Sequence, residues 1–560
     1  MAKCLFGPLC LDNMGNLYGI TSGGGAYGSG TVFKIDVLGN FSVFHNFTYA
    51  EDASSLNGII DDSEGNLYGT TQRAGTYGIG SVFKLDTSNN FSILHSFSYY
   101  VNLDGADPFA SVTRDSEGNL FGTTTSGGMF GSGTVFKVDT QGNFSLLHSF
   151  NGNDSSDGAD PFASVTPDSH GNLFGTTTSG GMFGFGTVFK IDAQGNFSLL
   201  HSFNNDDGSS PYSAVILDNL GNLYGTTTVG GPNHSSGVVF KIDTLGNFSL
   251  LHTFTNNSSD GHYPNSLSMD HQGNLFGTAF SGGSYGDGTV FELDNLGNYS
   301  VLHNFNNSDG ESPYSAVTID SHGNLYGSTV FGGADDFGTV FKINNLHQFS
   351  LLHTFRHPRY IEGPSQGAVV VDSLGNLFGT TAGGGAYYDG TVYKIDTEGN
   401  FSNLHTFDGS DGGGPCDAVT LDSQGNLFGT TAGGGLYGNG TVYELTSHIS
   451  NQTSSLEVVY HGYVHRPGSH AITQQITFTN TSENTLFGPF NLAISSLPSG
   501  ITLNSATGTT VNFSPGSPFI TVGGSSLAVG ASISVTLTFN DPHLSHISYS
   551  PTFLAGNGTP

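Results

Sequence analysis

Short runs of apolar and β-branched residues, broken by Gly, Asn and Asp, follow one another along the first 446 residues. Around residues 110–150 they read Ala-Ser-Val-Thr, Asn-Leu-Phe-Gly-Thr-Thr, Thr-Val-Phe-Lys-Val and Phe-Ser-Leu-Leu-His-Ser-Phe. Runs this short, rich in Val, Phe and Thr and bounded by turn formers, predict strands rather than helices. The set recurs. The phrase Gly-Asn-Leu-Tyr/Phe-Gly begins at Gly15, Gly65, Gly118, Gly171, Gly221, Gly273, Gly323, Gly375 and Gly425, nine copies at spacings of 50 to 53 residues. Four strands in about 50 residues is the size of one propeller blade. The expected fold class is therefore all-β, with nine four-stranded repeats forming a β-propeller over residues 1–446.

The turns carry their own mechanism. Strands one and two of each repeat are joined by Asp-x-x-Gly, with the Asp at Asp12, Asp62, Asp115, Asp168, Asp218, Asp270, Asp320, Asp372 and Asp422. Asp at the first turn position accepts backbone N–H bonds, and Gly at the fourth supplies a positive φ. Strands three and four reuse the device at Asp36, Asp139, Asp192, Asp243, Asp294 and Asp396. Each repeat thus reads as two hairpins joined by a Gly-rich loop. The longest connection follows the His-containing strand, and a crossover from one blade's outer edge to the next blade's inner edge must be long. This places Phe-Ser-Leu-Leu-His outermost and the small-residue strand innermost. Crossovers and Gly-rich loops then share one face.

After Leu445 the pattern stops. A polar linker over 447–454 leads to alternating runs such as Leu456–Tyr460, Gln475–Thr479 and Ser534–Phe539, which read as an immunoglobulin-like sandwich over 455–560. This region has three acids and Arg466, so nearly all of the chain's formal net charge of -32 belongs to the repeats. Such acidity repels phosphates, which excludes nucleic acid and anionic membranes as partners and leaves cations, neutral glycans and proteins. Much of it, like many of the 84 Gly, is accounted for by turns. No run of 18 apolar residues predicts a transmembrane segment, and residues 1–12 hold no signal-peptide core. On that ground alone the chain reads as cytoplasmic or truncated at its start, and as a monomer.

The unit Asp-x-x-Gly-Asn-Leu-Tyr/Phe-Gly-Thr-Thr-x-x-Gly-Gly…Gly-Thr-Val-Phe-Lys resembles the GloVer tandem repeat of bacterial choice-of-anchor proteins, over roughly four-fifths of the chain. The resemblance implies an extracellular or cell-surface location more than a chemistry. Kelch, WD and RCC1-type propellers carry signature tryptophans, and this chain has none.

Several repeated positions invite chemistry. His45, His95, His148, His201, His252, His303, His353 and His405 share one repeat position, too far apart for a common metal, and read as packing between blades on the face of Phe144 and Phe150. Lys34, Lys84, Lys137, Lys190, Lys241, Lys342 and Lys394 share another, replaced by Glu292 and Glu444 in two units, and are expected to pair with the turn Asp. The crossovers hold Asp104, Asp107, Asp157, Asp160, Asp207, Asp260, Asp309 and Asp411, candidate calcium ligands as an alternative to solvated capping loops. The Gly-rich loops carry Tyr27, Tyr77, Phe130, Phe183, Tyr285, Tyr387 and Tyr437. These rings suit glycan stacking, although their recurrence favours plugs for the seams between blades. Gly23 to Gly28 satisfies G-x-G-x-x-G but enters a strand, which argues against a dinucleotide site. Aligning Asp12 with Asp422 brings Cys4 close to the place of Cys416, so a disulfide stapling the first blade to the last is an alternative to free thiols that serve as packing residues. The functional expectation is a non-enzymatic protein that binds a glycan or protein partner through its loop-rich face and needs no cofactor except possible calcium. The alternatives are a carbohydrate-active lyase or hydrolase, for which acids confined to one blade would speak, and a purely structural surface repeat.

Overall fold

The computed structural model describes residues 9–555 except 13–15, 22–25, 28–29, 36–40, 48–55, 63, 73–74, 89, 99–102, 153–156, 233–235, 256–259, 357–368, 416–417, 423–424, 436–440, 446–449, 452, 466–470, 483–485, 488–489, 499, 510–516, 523–525 and 542–546. The chain forms two compact units. The first holds Met1–Phe401, Phe407–Thr420 and Gly429–Val442; the second holds Ser402–Thr406, Leu421–Phe428 and Tyr443–Pro560. The fold is all-β, with eight four-stranded sheets whose strands lie in chain order and a three-stranded ninth. No α-helix occurs among the described residues.

The third repeat shows why. Its strands are Thr113–Arg114, Leu120–Thr124, Thr134–Val138 and Phe144–Ser149, paired antiparallel. The Asp115 carboxylate accepts N–H bonds from Glu117 and Asn119 at 3.0 and 2.8 Å and the Asn119 amide at 2.8 Å. The Gly118 N–H returns to the Asp115 carbonyl at 3.2 Å, with φ at +91°. Asp139 repeats this network with Gln141 and Asn143, and the Asn143 side chain and backbone hold its carboxyl below the usual range. The turns are built as their sequence predicts.

The middle strands are buried on both faces. Val135 and Phe136 are both fully buried although they point to opposite sides of the sheet. Phe121, Val135 and Phe150 pack with Val165, Leu173, Phe189 and Ile191 of the fourth repeat. Phe136 and Val138 pack with Tyr68, Val82 and Phe97 of the second. The core of the first unit is thus a series of seams, one between each pair of neighbours. Gly122 lies across from Phe136, and a Cβ there would come within 2.4 Å of the ring. Glycine inside strand two is what lets the strand-three ring lie flat against it.

A bulge alters one expectation. The register of strands three and four shifts between Val135 and Phe136, so Val135 pairs with His148 and Phe136 with Leu146. His148 and Phe150 face the fourth repeat, whereas Phe144 faces the second, where it stacks on His95 at 3.5 Å. The histidine does pack between repeats, but not on the face of Phe144.

Equivalent hydrogen bonds link first strands of successive repeats. Thr113 Oγ1 donates to the Val165 carbonyl at 2.9 Å, Thr166 to Val215 at 2.7 Å and Thr318 to Val369 at 2.9 Å. Thr420 Oγ1 donates to the Leu9 carbonyl at 3.4 Å, joining the ninth repeat to the first.

In the second unit a five-stranded sheet containing Phe490–Ser495 and Ser550–Ala555 and another containing Ala471–Asn480 and Ser532–Asn540 share one apolar cluster. It includes Ile476, Phe478, Leu537 and Phe539 from one sheet and Phe490, Leu492, Ile494 and Phe553 from the other. Among the described residues no helix is long and apolar enough to cross a membrane.

Candidate functional site

Each hairpin turn lies at one end of its sheet, and the Gly-rich loops and crossovers lie at the other. At the loop end the crossover acids meet the repeated histidines. His95 Nε2 donates to Asp104 Oδ2 at 2.6 Å, His148 to Asp157 at 3.0 Å, His201 to Asp207 at 3.1 Å, His252 to Asp260 at 3.1 Å and His303 to Asp309 at 3.2 Å. Each imidazole also stacks on the first aromatic of the next repeat's outer strand, as His201 does on Phe248 at 3.6 Å and His252 on Tyr299 at 3.4 Å. Burial holds the His148 and His303 imidazoles below their ordinary pKa, against the opposite pull of Asp157 and Asp309. Burial pushes the other way on Asp104, but hydrogen bonds from His95 and the Ser98 N–H hold its carboxyl low. Asp260 is likewise held low against burial by His252 and the Thr255 N–H.

Asp107 and Asp160 sit before prolines with φ of +53° and +55°. Their carboxylates accept Ser126 and Ser179 hydroxyls at 2.8 and 2.6 Å, and their N–H groups donate to the preceding repeat's loop at Ile79 and Ser132. Asp411 accepts the Asp408 N–H at 2.9 Å. The crossover acids are thus engaged in stitching repeats. Among the described residues no group of three or more His, Cys, Asp or Glu is placed to hold a metal ion.

The loop aromatics are placed otherwise than as plugs. Tyr27, Tyr77, Phe130, Phe183, Tyr285 and Tyr387 are exposed, from 48% at Tyr77 to 65% at Tyr285, so they do not fill the seams. The seams are filled by the strand Phe residues and the His stacks, which leaves the loop rings in solvent. Tyr437, Cys4 and Cys416 lie outside the described residues.

A second aromatic row, not singled out in the sequence, follows the crossover prolines: Phe109, Phe162, Tyr212 and Tyr314. Phe109 and Phe162 have ring centroids 4.1 Å apart, and Phe162 and Tyr212 5.8 Å, so the row runs from repeat to repeat. Phe109, Tyr212 and Tyr314 are exposed. The Pro-Phe/Tyr pairing was the available signal. Each proline is locked against the Gly-rich loop of the preceding repeat, where a Cβ on Gly133 would meet Pro161 Cδ at 2.6 Å.

At the turn end the lysines lie over the strand-two rings, and their charge also favours the ionised turn acid two residues on, as Lys137 does for Asp139. Nζ of Lys84, Lys241 and Lys342 is 5.3 Å from the ring centres of Tyr68, Tyr224 and Tyr326, the residues directly across in register. The row breaks at Glu292 and Glu444, and the first of these is buried. Glu292 of the sixth repeat, 8% exposed, meets His347 Nε2 at 3.4 Å, and His347 stands where six of the equivalent turns have Gly, with φ at +61°. Burial above all, joined by the charges of Asp294 and Asp270, pushes the Glu292 carboxyl up against the pull of His347. These residues border a groove of about 630 Å³ between the sixth and seventh repeats.

The Gloeobacter/Verrucomicrobia repeat matches residues 6–235, 168–362 and 348–493. No curated protein matches the chain. Among solved structures, it is similar to a gluconolactonase from Xanthomonas campestris (14% identity, TM-score 0.28, covering 50% of this chain and 85% of that one). It is also similar to puromycin hydrolase (10%, 0.36, 68% and 60%) and to the extracellular domain of a putative hybrid two-component system from B. thetaiotaomicron (10%, 0.26, 85% and 65%).

Proposed function

The chain belongs to the Gloeobacter/Verrucomicrobia repeat family, and from that premise we propose an exported or cell-surface protein that binds a neutral glycan at the loop end of its repeats, without catalysis. In this reading the nine repeats are the blades of a β-propeller over residues 1–446, and residues 455–560 form an immunoglobulin-like sandwich after a linker at 447–454. The bond from Thr420 to Leu9 supports closure of the blades, because it repeats the link between the third and fourth, fourth and fifth, and seventh and eighth repeats.

The observation that carries the binding reading is the pair of aromatic rows. Exposed rings recur at one loop position, and the Phe109–Phe162–Tyr212 row runs from repeat to repeat at the same end of the sheets. Ring faces stack on the C–H faces of sugars, and the neighbouring Asn and Ser side chains supply hydroxyl partners. A net charge of -32 favours neutral over acidic glycans. The crossover carboxylates, held by histidines and backbone N–H groups, keep the rows in place rather than meeting the ligand.

A catalytic alternative needs a pair of acids confined to one repeat. Glu292 shares its repeat position only with Glu444, but its partner is a histidine, and it lies at the turn end. Electrophoresis through gels containing cellulose derivatives, glucomannan, xylan or starch tests the reading. At least one is expected to retard the chain, and the triple variant Phe109→Ala, Phe162→Ala, Tyr212→Ala is expected to migrate freely while keeping its fold. Free migration of the natural chain in all of them overturns the proposal.

A further inference from the structure

The groove between the sixth and seventh repeats breaks a rule that seven of the nine repeats keep. In seven repeats a lysine ammonium lies 5.3 to 5.8 Å over the aromatic ring across from it in strand two. In the sixth repeat the ring is Phe276 and the residue across from it is Glu292. Among the described residues no Lys or Arg lies over Phe276, and the charge at this position has changed sign.

The space has changed too. The equivalent groove between the third and fourth repeats, bordered by Lys137, has about 250 Å³, whereas this one has about 630 Å³. That is within the range of small-molecule sites. Its wall combines the Phe276 ring, the buried Glu292, the turn acids Asp270 and Asp320, and the amide side chains of Asn344 and Asn345. His347 pairs with Glu292 but is half-exposed, so it borders the groove rather than filling it. Glu444, the other glutamate at this repeat position, is exposed and has no such setting.

We propose that this groove binds an organic cation with a primary ammonium group, whose nitrogen takes the place over Phe276 that a lysine Nζ holds in the other repeats. Glu292 is its counter-ion, and Phe276, which lines the groove at 5% exposure, provides the cation–π contact. Low exposure at Glu292 strengthens the charge pairing relative to a surface pair. The volume exceeds that of an ammonium head, which leaves room for a hydroxylated ring or an alkyl stem beside Asn344 and Asn345. Two sources carry this chemistry: an amino sugar and a lysine side chain of another protein. The inference is independent of glycan binding at the loop end.

Calorimetric titration of the full chain tests it, with butylammonium, glucosamine and Nα-acetyl-lysine amide as probes and butanol and glucose as neutral counterparts. The ammonium probes are expected to bind saturably and at least tenfold more tightly than the neutral ones. Tighter binding of glucosamine than of the lysine derivative identifies the sugar source, and the reverse order identifies the protein source. E292K restores the residue that seven other repeats fold with, so its fold is secure, and its own ammonium is expected to abolish binding. E292Q, which keeps the shape without the charge, is expected to weaken it at least tenfold. Ammonium probes that bind no better than their neutral counterparts, or an E292K chain that binds as the natural one does, overturn the proposal.

Discussion

At the scale of single residues, the repeated His–Asp pairs are where this chain is most sensitive to its medium. His148 and His303 titrate below their ordinary value of 6.5 because burial disfavours the imidazolium. The unfolded chain therefore binds their protons first, and stability falls as pH drops through about 6.5 toward the folded values. Asp104 and Asp260 are depressed from 3.8, so their contribution is present above that value and is lost as pH falls through their lower folded pKa. Both effects have one sign. Thermal melts are expected to move to lower temperature from pH 7.5 to pH 5 and further below pH 4, and the double variant H148Q/H303Q is expected to show a shallower slope between pH 6.5 and 5. A flat profile for the natural chain between pH 7.5 and 5 would contradict this. The histidines were legible as seam residues from their regular position. Their acid partners were not, because they lie six to nine residues on, in connections of variable length.

Among the elements, the turns were the most legible part, since Asp-x-x-Gly-Asn specifies its own hydrogen bonds locally and needs no neighbour. What the strand pattern hid depends on register. Lysine and the turn Asp are close in sequence and interact through their charges, but cross-strand pairing also sets each lysine over a ring, which the spacing did not show. A single bulge residue, Leu147, reverses which seam Phe144 faces relative to His148. The loop rings look like seam plugs by recurrence alone, and only the packing of the strands shows that the seams are already full. Phe150 is fully buried, with Phe189 at 5.2 Å and Phe197 at 6.0 Å across the seam. Phe150→Ala is expected to cost about 3–5 kcal/mol, read as a lowered urea midpoint. A change below about 1 kcal/mol would mean that the seams do not hold the repeats together.

For the whole molecule, the repeat count and the shift in pattern after Leu445 were legible because every copy carries the same phrase. The contact between the ninth repeat and the first was not, since Thr420 and Leu9 are 411 residues apart and neither belongs to a motif that names the other. The division of labour between the two ends of the repeats emerges only at this scale. One end has carboxylates locked to histidines together with exposed aromatic rings, and the other has the seam where the buried Glu292 replaces lysine. The central claim is that the loop end is the binding face. Hydrogen exchange measured with and without the polysaccharide that retards the chain most tests it directly. Protection is predicted in the crossovers over 104–112, 157–165 and 207–215 and in the Gly-rich loops, with the Asp-x-x-Gly turns unchanged. Protection confined to the turns, with the crossovers unchanged, would contradict the account.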